Sequence, residues 1–325
     1  MHYYLKKDFR PSSLAYKLLT DYPTRPGKGI RPALCLAAAA SVGGDINNAV
    51  NTGAAIELLH NAFLIKDDVV DQSVYRRGDL TLNRKYGLAL AANAGDALKV
   101  LSMSPLIDNL KVIGVRKSLQ VILEIQHMAN MAVSGQIAEL TYVKENKTDL
   151  KPDDYFKLCE NKTCSYTTIA PCRTGLLIGS DNATQEQLDA ITRFALKLGL
   201  AFQITDDTLN LLASEKVYGK EINGDILEGK RTLILIHLLN SCNREERESM
   251  RRSLRKPRDM KNDEDVALFR TLMEKYSSIE YARRIASRLA RQAREILLDE
   301  CRWMTEERWK RFFIHQTDFL IYRKR

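Results

Sequence analysis

Asp67, Asp68 and Asp71 place three carboxylates within five residues, and Arg76 and Arg77 follow one to two helical turns later. On a helix, Asp67 and Asp71 are four residues apart and project from one face, with Asp68 beside them. Like charges at that spacing repel, so an exposed helix gains nothing from the arrangement. A hard cation between the oxygens would remove the repulsion. Magnesium suits such a donor set, because it takes oxygen ligands, keeps several waters and shares its coordination with phosphates. Taken alone, the stretch reads more readily as a charged helix end. Asp206, Asp207 and Asn210 repeat the pattern inside a second apolar helix. Two such helices facing each other would wall a bundle core with carboxylates. Neither cluster contains His or Cys, which turns the reading from zinc toward magnesium. The excess negative charge calls for metal ions together with an anionic substrate.

The elements that must position these carboxylates are helices. Apolar residues recur with a period of about 3.6 in RPALCLAAAASVGG, NAVNTGAAIELLHNAFLIKDDVV, LALAANAGDALKVLSM, SLQVILEIQHMANMAVSGQIAEL and LDAITRFALKLGLAFQITDDTLNLL. Several of these stretches are apolar on more than one face, as the central helices of a large bundle are. Runs of Val, Ile and Thr bounded by turns are scarce. Breakers cluster at 23–32, 76–81, 144–154, 179–184, 215–230 and 255–265, and none of these is a flexible linker. The pattern predicts one all-α domain over residues 1–325, a large helical bundle.

Bulk composition removes other classes. Hydrophobic residues make up 45% of the chain and charged residues 28%, as in an ordinary globular protein. No apolar run approaches the roughly 18–20 residues of a transmembrane helix, and the opening MHYYLKKDFRPSS lacks a signal-peptide core, so secretion is not expected. Six cysteines, at 35, 159, 164, 172, 242 and 301, form no CxxC pair and read as reduced thiols. The net charge of +9 is concentrated in residues 241–325, with 22 Lys and Arg against 15 Asp and Glu. Charges alternate in sign there, as in YARRIASRLARQAREILLDE, so the region reads as solvated helix faces rather than a nucleic-acid stripe.

Taken together, the motifs resemble the trans-prenyltransferases of the polyprenyl (isoprenyl diphosphate) synthase family. LIKDDVVDQSVYRRG (64–78) resembles the family's first aspartate-rich motif, and FQITDDTLN (202–210) the second. GKGIRP, ELLHN, NAGDAL, GQIAEL, ENKTCSY and YGKEINGDILEGKRTL fall in the family's order, so the likeness spans roughly residues 27–237. The resemblance implies the all-α isoprenoid synthase fold with a central cavity, a cytoplasmic homodimer and a magnesium-dependent reaction with three ions per active site. In that reaction a C5, C10 or C15 allylic diphosphate ionises, and isopentenyl diphosphate attacks the cation. The resemblance assigns Asp67, Asp71 and Asp206 to the metal, with Asp68 and Asp207 in support. Arg76, Lys162 and Lys220 match positions that bind the allylic diphosphate, and Lys230 lies in the loop closing over it. Lys28, Arg31, His60 and Arg77 match the metal-free isopentenyl diphosphate site. Thr163 and Gln203 match polar positions near the developing cation and the leaving group.

Three residues depart from the pattern: Gly29 stands where many relatives have arginine, Lys66 precedes the first aspartate, and Asn210 replaces the last aspartate of the second motif. Lys66 either pairs with the cluster or points away. One turn before Asp67, Phe63 is large and Ala62 small. By family analogy one aromatic with one alanine implies an intermediate product, C20 geranylgeranyl diphosphate ahead of C15, while Met128 or Met131 on a neighbouring helix is the alternative floor. The competing readings are a class I terpene cyclase on the same scaffold and a non-catalytic partner subunit. A cyclase has no second diphosphate to hold, which the retained Lys28, Arg31, His60 and Arg77 oppose; a partner subunit would be expected to lose its metal aspartates.

Overall fold

The computed structural model describes residues 2–212 and 222–322. Those residues are overwhelmingly helical, and their only β structure is a two-residue hairpin pairing Tyr75 with Leu80 and Arg76 with Asp79. The all-α expectation is met. The chain gathers into two compact units, Met1–Ala129 with Tyr166–Thr192 and Leu297–Phe313, and Asn130–Ser165 with Arg193–Ile296 and Ile314–Arg325. The boundaries between these segments fall inside helices rather than in linkers.

In the first unit, α1 (His2–Asp8), α2 (Leu14–Thr24), α3 (Ile30–Ser41), α4 (Val50–Val70), α5 (Leu82–Tyr86), α6 (Leu88–Leu101) and α7 (Met103–Val112) precede α8 (Gly114–Lys144), which continues into the second unit. α4 is apolar all round because it is buried on two sides. Leu58, Ala62 and Ile65 join Leu19, Tyr22, Ala91 and Leu98 in one cluster. Ala55, Ile56 and Leu59, with Phe63 at the margin, join Val121, Ile125 and Met128 in another. α3 carries four consecutive alanines, Ala37–Ala40, and this small-residue surface lets α10 (Ala170–Gly179) approach to backbone contact. A Cβ on Gly175 would stand 2.2 Å from the Cys35 carbonyl, and one on Gly179 would stand 2.2 Å from that of Ala39.

The second unit holds the end of α8, then α9 (Pro152–Cys159), a π-helical stretch Glu160–Ile169 that passes into the first unit, and most of α11 (Gln185–Leu212). α12 (Gly224–Glu228) and the longer helices from Leu233 onward follow, several with side-chain N-caps. Asn243 and Asn262 each accept the backbone N–H three residues on, at 2.9 and 3.0 Å, while Glu246 and Asp265 return the bond. The π-helical register re-aims Lys162 and Thr163 relative to an α-helix, a device common at functional sites. Gly135 of α8 makes room for it, because a Cβ there would stand 2.4 Å from the Lys162 nitrogen. That contact gives the GQIAEL motif a physical reason.

Candidate active site

The first motif ends α4. Asp67 and Asp71 are half-buried, and Asp71 caps the helix with its N–H on the Asp67 carbonyl at 2.7 Å. Asp68 is turned about 100° from Asp67 around the helix and is fully buried. Its carboxylate accepts the Tyr22 hydroxyl at 2.6 Å and the Arg76 Nε at 2.9 and 3.1 Å, with a further bond from the Arg76 terminal nitrogen. Burial by itself would lower the Arg76 pKa; the Asp68 carboxylate outweighs it and holds the guanidinium above its ordinary value. Burial and Asp68 likewise raise the Tyr22 phenol, which keeps it a donor. The hairpin explains the trailing Arg-Arg-Gly. Arg77 and Gly78 form its two-residue turn with φ of 52° and 80°, the doubly left-handed pattern of a type I′ turn. One arginine therefore points back to Asp68 and the next points elsewhere.

Arg77 joins a cluster of cations. Its terminal nitrogen lies 3.4 Å from His60 Nε2, and that of Arg31 lies 3.2 Å from the same atom. Arg31 also donates to Thr167 at 2.9 Å and lies over the Tyr166 ring at 4.7 Å. Tyr166 stacks on His60 with ring centres 6.0 Å apart and meets Phe63 edge-on at 5.3 Å. Burial and the neighbouring Arg76 and Arg31 hold the Arg77 pKa below its ordinary value, with Glu57 pulling the other way. The Nε of Arg31 is buried without a hydrogen-bond partner. A diphosphate would satisfy this concentration of donors through bidentate contacts. Lys28 is exposed nearby in sequence, at the mouth of α3, and Gly29 caps that helix in the left-handed conformation, φ 56°. An arginine at 29 would carry the strain of that conformation, which glycine avoids.

The second motif lies in the last two turns of α11. Asp206 is half-buried, whereas Asp207 is buried. The Asp207 carboxylate accepts the Tyr155 hydroxyl at 2.7 Å and the Gln203 amide at 2.7 Å. Burial pushes Asp207 up to about 6 against the pull of those two bonds, and Asp206 adds to the rise. Asn210 is buried and works on the following loop. Its side-chain oxygen accepts the Asp225 N–H at 3.2 Å, and its carbonyl accepts that of Asn223 at 2.9 Å. A neutral oxygen suffices for that task. Lys230 pairs with Glu228 at 2.5 Å and Asp225 at 3.8 Å, and Lys162 forms an ion pair with Glu139. Thr163 is buried. Lys220 lies outside the described residues.

A model of the polyprenyl synthetase family matches residues 12–273. The chain belongs to the polyprenyl synthetase family. It is 32% identical over 270 residues to a geranylgeranyl diphosphate synthase of Sulfolobus acidocaldarius, spanning 83% of this chain and 79% of that one. It is 31% identical over 274 residues to a short chain isoprenyl diphosphate synthase of Methanothermobacter thermautotrophicus, spanning 84% and 81%. The solved geranylgeranyl pyrophosphate synthetase of Pyrococcus horikoshii matches with a TM-score of 0.82 at 30% identity, over 95% of this chain and 90% of that one. A geranylgeranyl pyrophosphate synthase of Corynebacterium glutamicum, solved with isoprenyl diphosphate and magnesium, shares the fold with a TM-score of 0.87 at 20% identity, over 99% and 96%. This polyprenyl synthetase is a trans-prenyltransferase. The family match favours elongation over the cyclase reading.

Within the synthase, sequence reasoning missed the partners that fix the aspartates. Tyr22 and Tyr155 are 46 and 52 residues from the carboxylates they bind, and nothing local marks them. Lys66 neither joins the acidic cluster nor stays idle. It pairs with Asp96 of α6 at 3.4 Å. Ala62 and Phe63 part company: Ala62 is fully buried against α6, while Phe63 packs on Tyr166. Ala62 is small because two helices meet there, its carbonyl standing 3.4 Å from the position of a Gly95 Cβ.

Proposed function

We propose that this synthase condenses isopentenyl diphosphate with an allylic diphosphate of C5 to C15 and releases geranylgeranyl diphosphate as its main product. The observation that supports elongation is the cluster of Arg31, Arg77 and His60, a second anion site built without acidic ligands. In this reading Lys28, Arg31, His60 and Arg77 hold isopentenyl diphosphate. Lys162, Lys220 and Lys230 hold the allylic diphosphate, and Asp67, Asp71 and Asp206 are the metal ligands. Asp68 and Asp207 support them, and Arg76 acts through its ion pair with Asp68 as well as through its charge.

Among the described residues no three His, Cys, Asp or Glu side chains converge as a complete metal site. That fits magnesium, which completes its oxygen shell with water and substrate phosphates rather than with a protein cage. Three bound magnesium ions would neutralise charge on the leaving diphosphate. The residues do the rest by binding and orientation. Cations align the two diphosphates, and Thr163 and Gln203 offer polar contacts near the allylic carbon. The allylic C–O bond breaks with its electron pair leaving on diphosphate. The isopentenyl double bond then attacks the cation, and the departing diphosphate takes the released proton, so no protein base is needed.

The chain acts as one catalytic domain in a homodimer. Val115, Leu119, Leu123 and Ile137 repeat on one face of α8, and Leu123 is 62% exposed. An apolar stripe of that length on a helix calls for a partner surface. No described helix is long and apolar enough to cross a membrane, and a cytoplasmic location belongs to the same proposal. The assay supplies magnesium, isopentenyl diphosphate and C5, C10 or C15 starters, with products identified by mass. C20 diphosphate is expected; cyclic hydrocarbon formed without isopentenyl diphosphate would replace elongation by cyclisation. Phe63 is the proposed floor, so Phe63→Ala should lengthen the main product by at least one C5 unit. An unchanged distribution moves the floor elsewhere, Met128 or Met131 being next.

A further inference from the structure

We infer that Tyr22 and Tyr155 are positioning residues, each tying down the second aspartate of one motif so that the first is held toward the ligand. The inference rests on the metal roles proposed above and extends them to residues outside both motifs. The two arrangements are parallel. In each, the adjacent aspartates differ in burial, with Asp67 and Asp206 half-buried and Asp68 and Asp207 buried. In each, a tyrosine hydroxyl from a separate helix donates to the buried carboxylate, at 2.6 Å from Tyr22 of α2 and at 2.7 Å from Tyr155 of α9. A second side chain also donates to each carboxylate, Arg76 to both oxygens of Asp68 and Gln203 to the Asp207 oxygen that Tyr155 leaves open.

Physics gives these bonds a task. Both motifs lie in the closing turns of their helices, α4 ending at Val70 and α11 at Leu212. There the macrodipole is negative, so carboxylates are disfavoured, and the last carbonyls take partners from beyond the helix, as Asp68 does from the Ser73 N–H and Asn210 from the Asn223 N–H. Successive residues on a helix are rotated by about 100°, so anchoring one aspartate fixes the direction of its neighbour. The Tyr22 hydroxyl also lies 3.4 Å from the Leu82 N–H, which links the end of α4 to the chain beyond the hairpin. Loss of either hydroxyl would leave a buried carboxylate one donor short and release the turn that carries the outward aspartate.

The test removes only the hydroxyls, in Tyr22→Phe and Tyr155→Phe, and reads manganese binding by electron paramagnetic resonance with inorganic diphosphate as the probe anion. Each variant should bind manganese about tenfold more weakly, the effect of roughly one lost hydrogen bond to a charged group. The KM for isopentenyl diphosphate should stay unchanged. A double-mutant cycle supplies the readout that a merely structural role would not move. Tyr155→Phe and Asp207→Asn should be strongly non-additive in manganese affinity, because the hydroxyl acts through that carboxylate. Wild-type manganese affinity in Tyr155→Phe, or additive losses in the cycle, overturns the inference. If Tyr22→Phe unfolds, Tyr155→Phe and its cycle decide alone. Asp67→Ala separates the two layers: undiminished manganese binding there defeats the metal assignment itself, and the tyrosine roles fall with it.

Discussion

The two aspartate motifs are built alike and balanced differently. Asp68 is buried against the guanidinium of Arg76, so that pair carries its own neutralisation. Asp207 is buried against two neutral donors, Tyr155 and Gln203, and burial raises it to about 6. The same letters, Asp-Asp in an apolar helix, thus produce one motif whose buried carboxylate is closed by an arginine in direct contact and one whose buried carboxylate is met by neutral donors, with the Lys230 charge acting from further off. The first motif resembles a fixed post, and the second responds to what binds.

The sharpest way to break this comparison is to remove the neutral partner from one side and the charged partner from the other. Arg76→Ala would strand a buried carboxylate, at a cost of about 3–5 kcal/mol in unfolding free energy. Gln203→Ala removes a hydrogen bond from a neutral donor to the Asp207 carboxylate and should cost about 1.5 kcal/mol. Urea denaturation of the metal-free protein reads both. Equal losses would show that the two motifs are balanced alike after all.

Activity tests what the motifs share. Asp67→Ala and Asp206→Ala should each lower kcat by about a hundredfold or more, as the loss of a charge contact made in the transition state does. Full turnover in either folded variant removes that residue from the metal ligands. The cation cluster serves as the contrast. Lys28→Ala and Arg31→Ala should raise the KM for isopentenyl diphosphate about tenfold, one charged contact's worth, with the allylic KM nearly constant. If both constants rose together, the cluster would not be a separate site.

How much of this was legible beforehand follows from distance along the chain. The helical class and both aspartate motifs were readable because a 3.6-residue period and a four-residue spacing are local. So was the placement of Asp67 and Asp71 on one side of α4. The partners were not. Tyr22 reaches Asp68 across 46 residues and Tyr155 reaches Asp207 across 52, and a lone tyrosine in an apolar helix carries no sign of what its hydroxyl will meet. Arg76 and Arg77 were assigned to different diphosphates by resemblance alone, and the φ of 52° at Arg77 supplies the physical reason that they part. Asn210 read only as a departure from the usual last aspartate of the second motif; its hydrogen bond from the Asp225 N–H needed the fold. The π-helical register at Lys162 was equally hidden, since it depends on the glycine at 135 meeting that backbone.

The last expected effect is the one most specific to the second motif. Asp207 rises from an ordinary 3.8 to about 6 through burial, so between those values the folded protein holds a proton that the unfolded chain has released. Stability from this group is therefore greatest below pH 4 and falls as pH rises toward 6, the reverse of a carboxylate in an ion pair. Metal-free wild type should lose about 4 °C in Tm across this window relative to Asp207→Asn, the equivalent of roughly 3 kcal/mol in a chain of this size. The comparison with Asp207→Asn removes the other carboxylates from the difference. Manganese binding with inorganic diphosphate should weaken below pH 6 in wild type, where Asp207 protonates and Asp206 loses the neighbouring charge that helps draw a cation. A flat Tm difference from pH 4 to 7.5 would mean that Asp207 is as well compensated as Asp68, and the contrast between the two motifs would disappear.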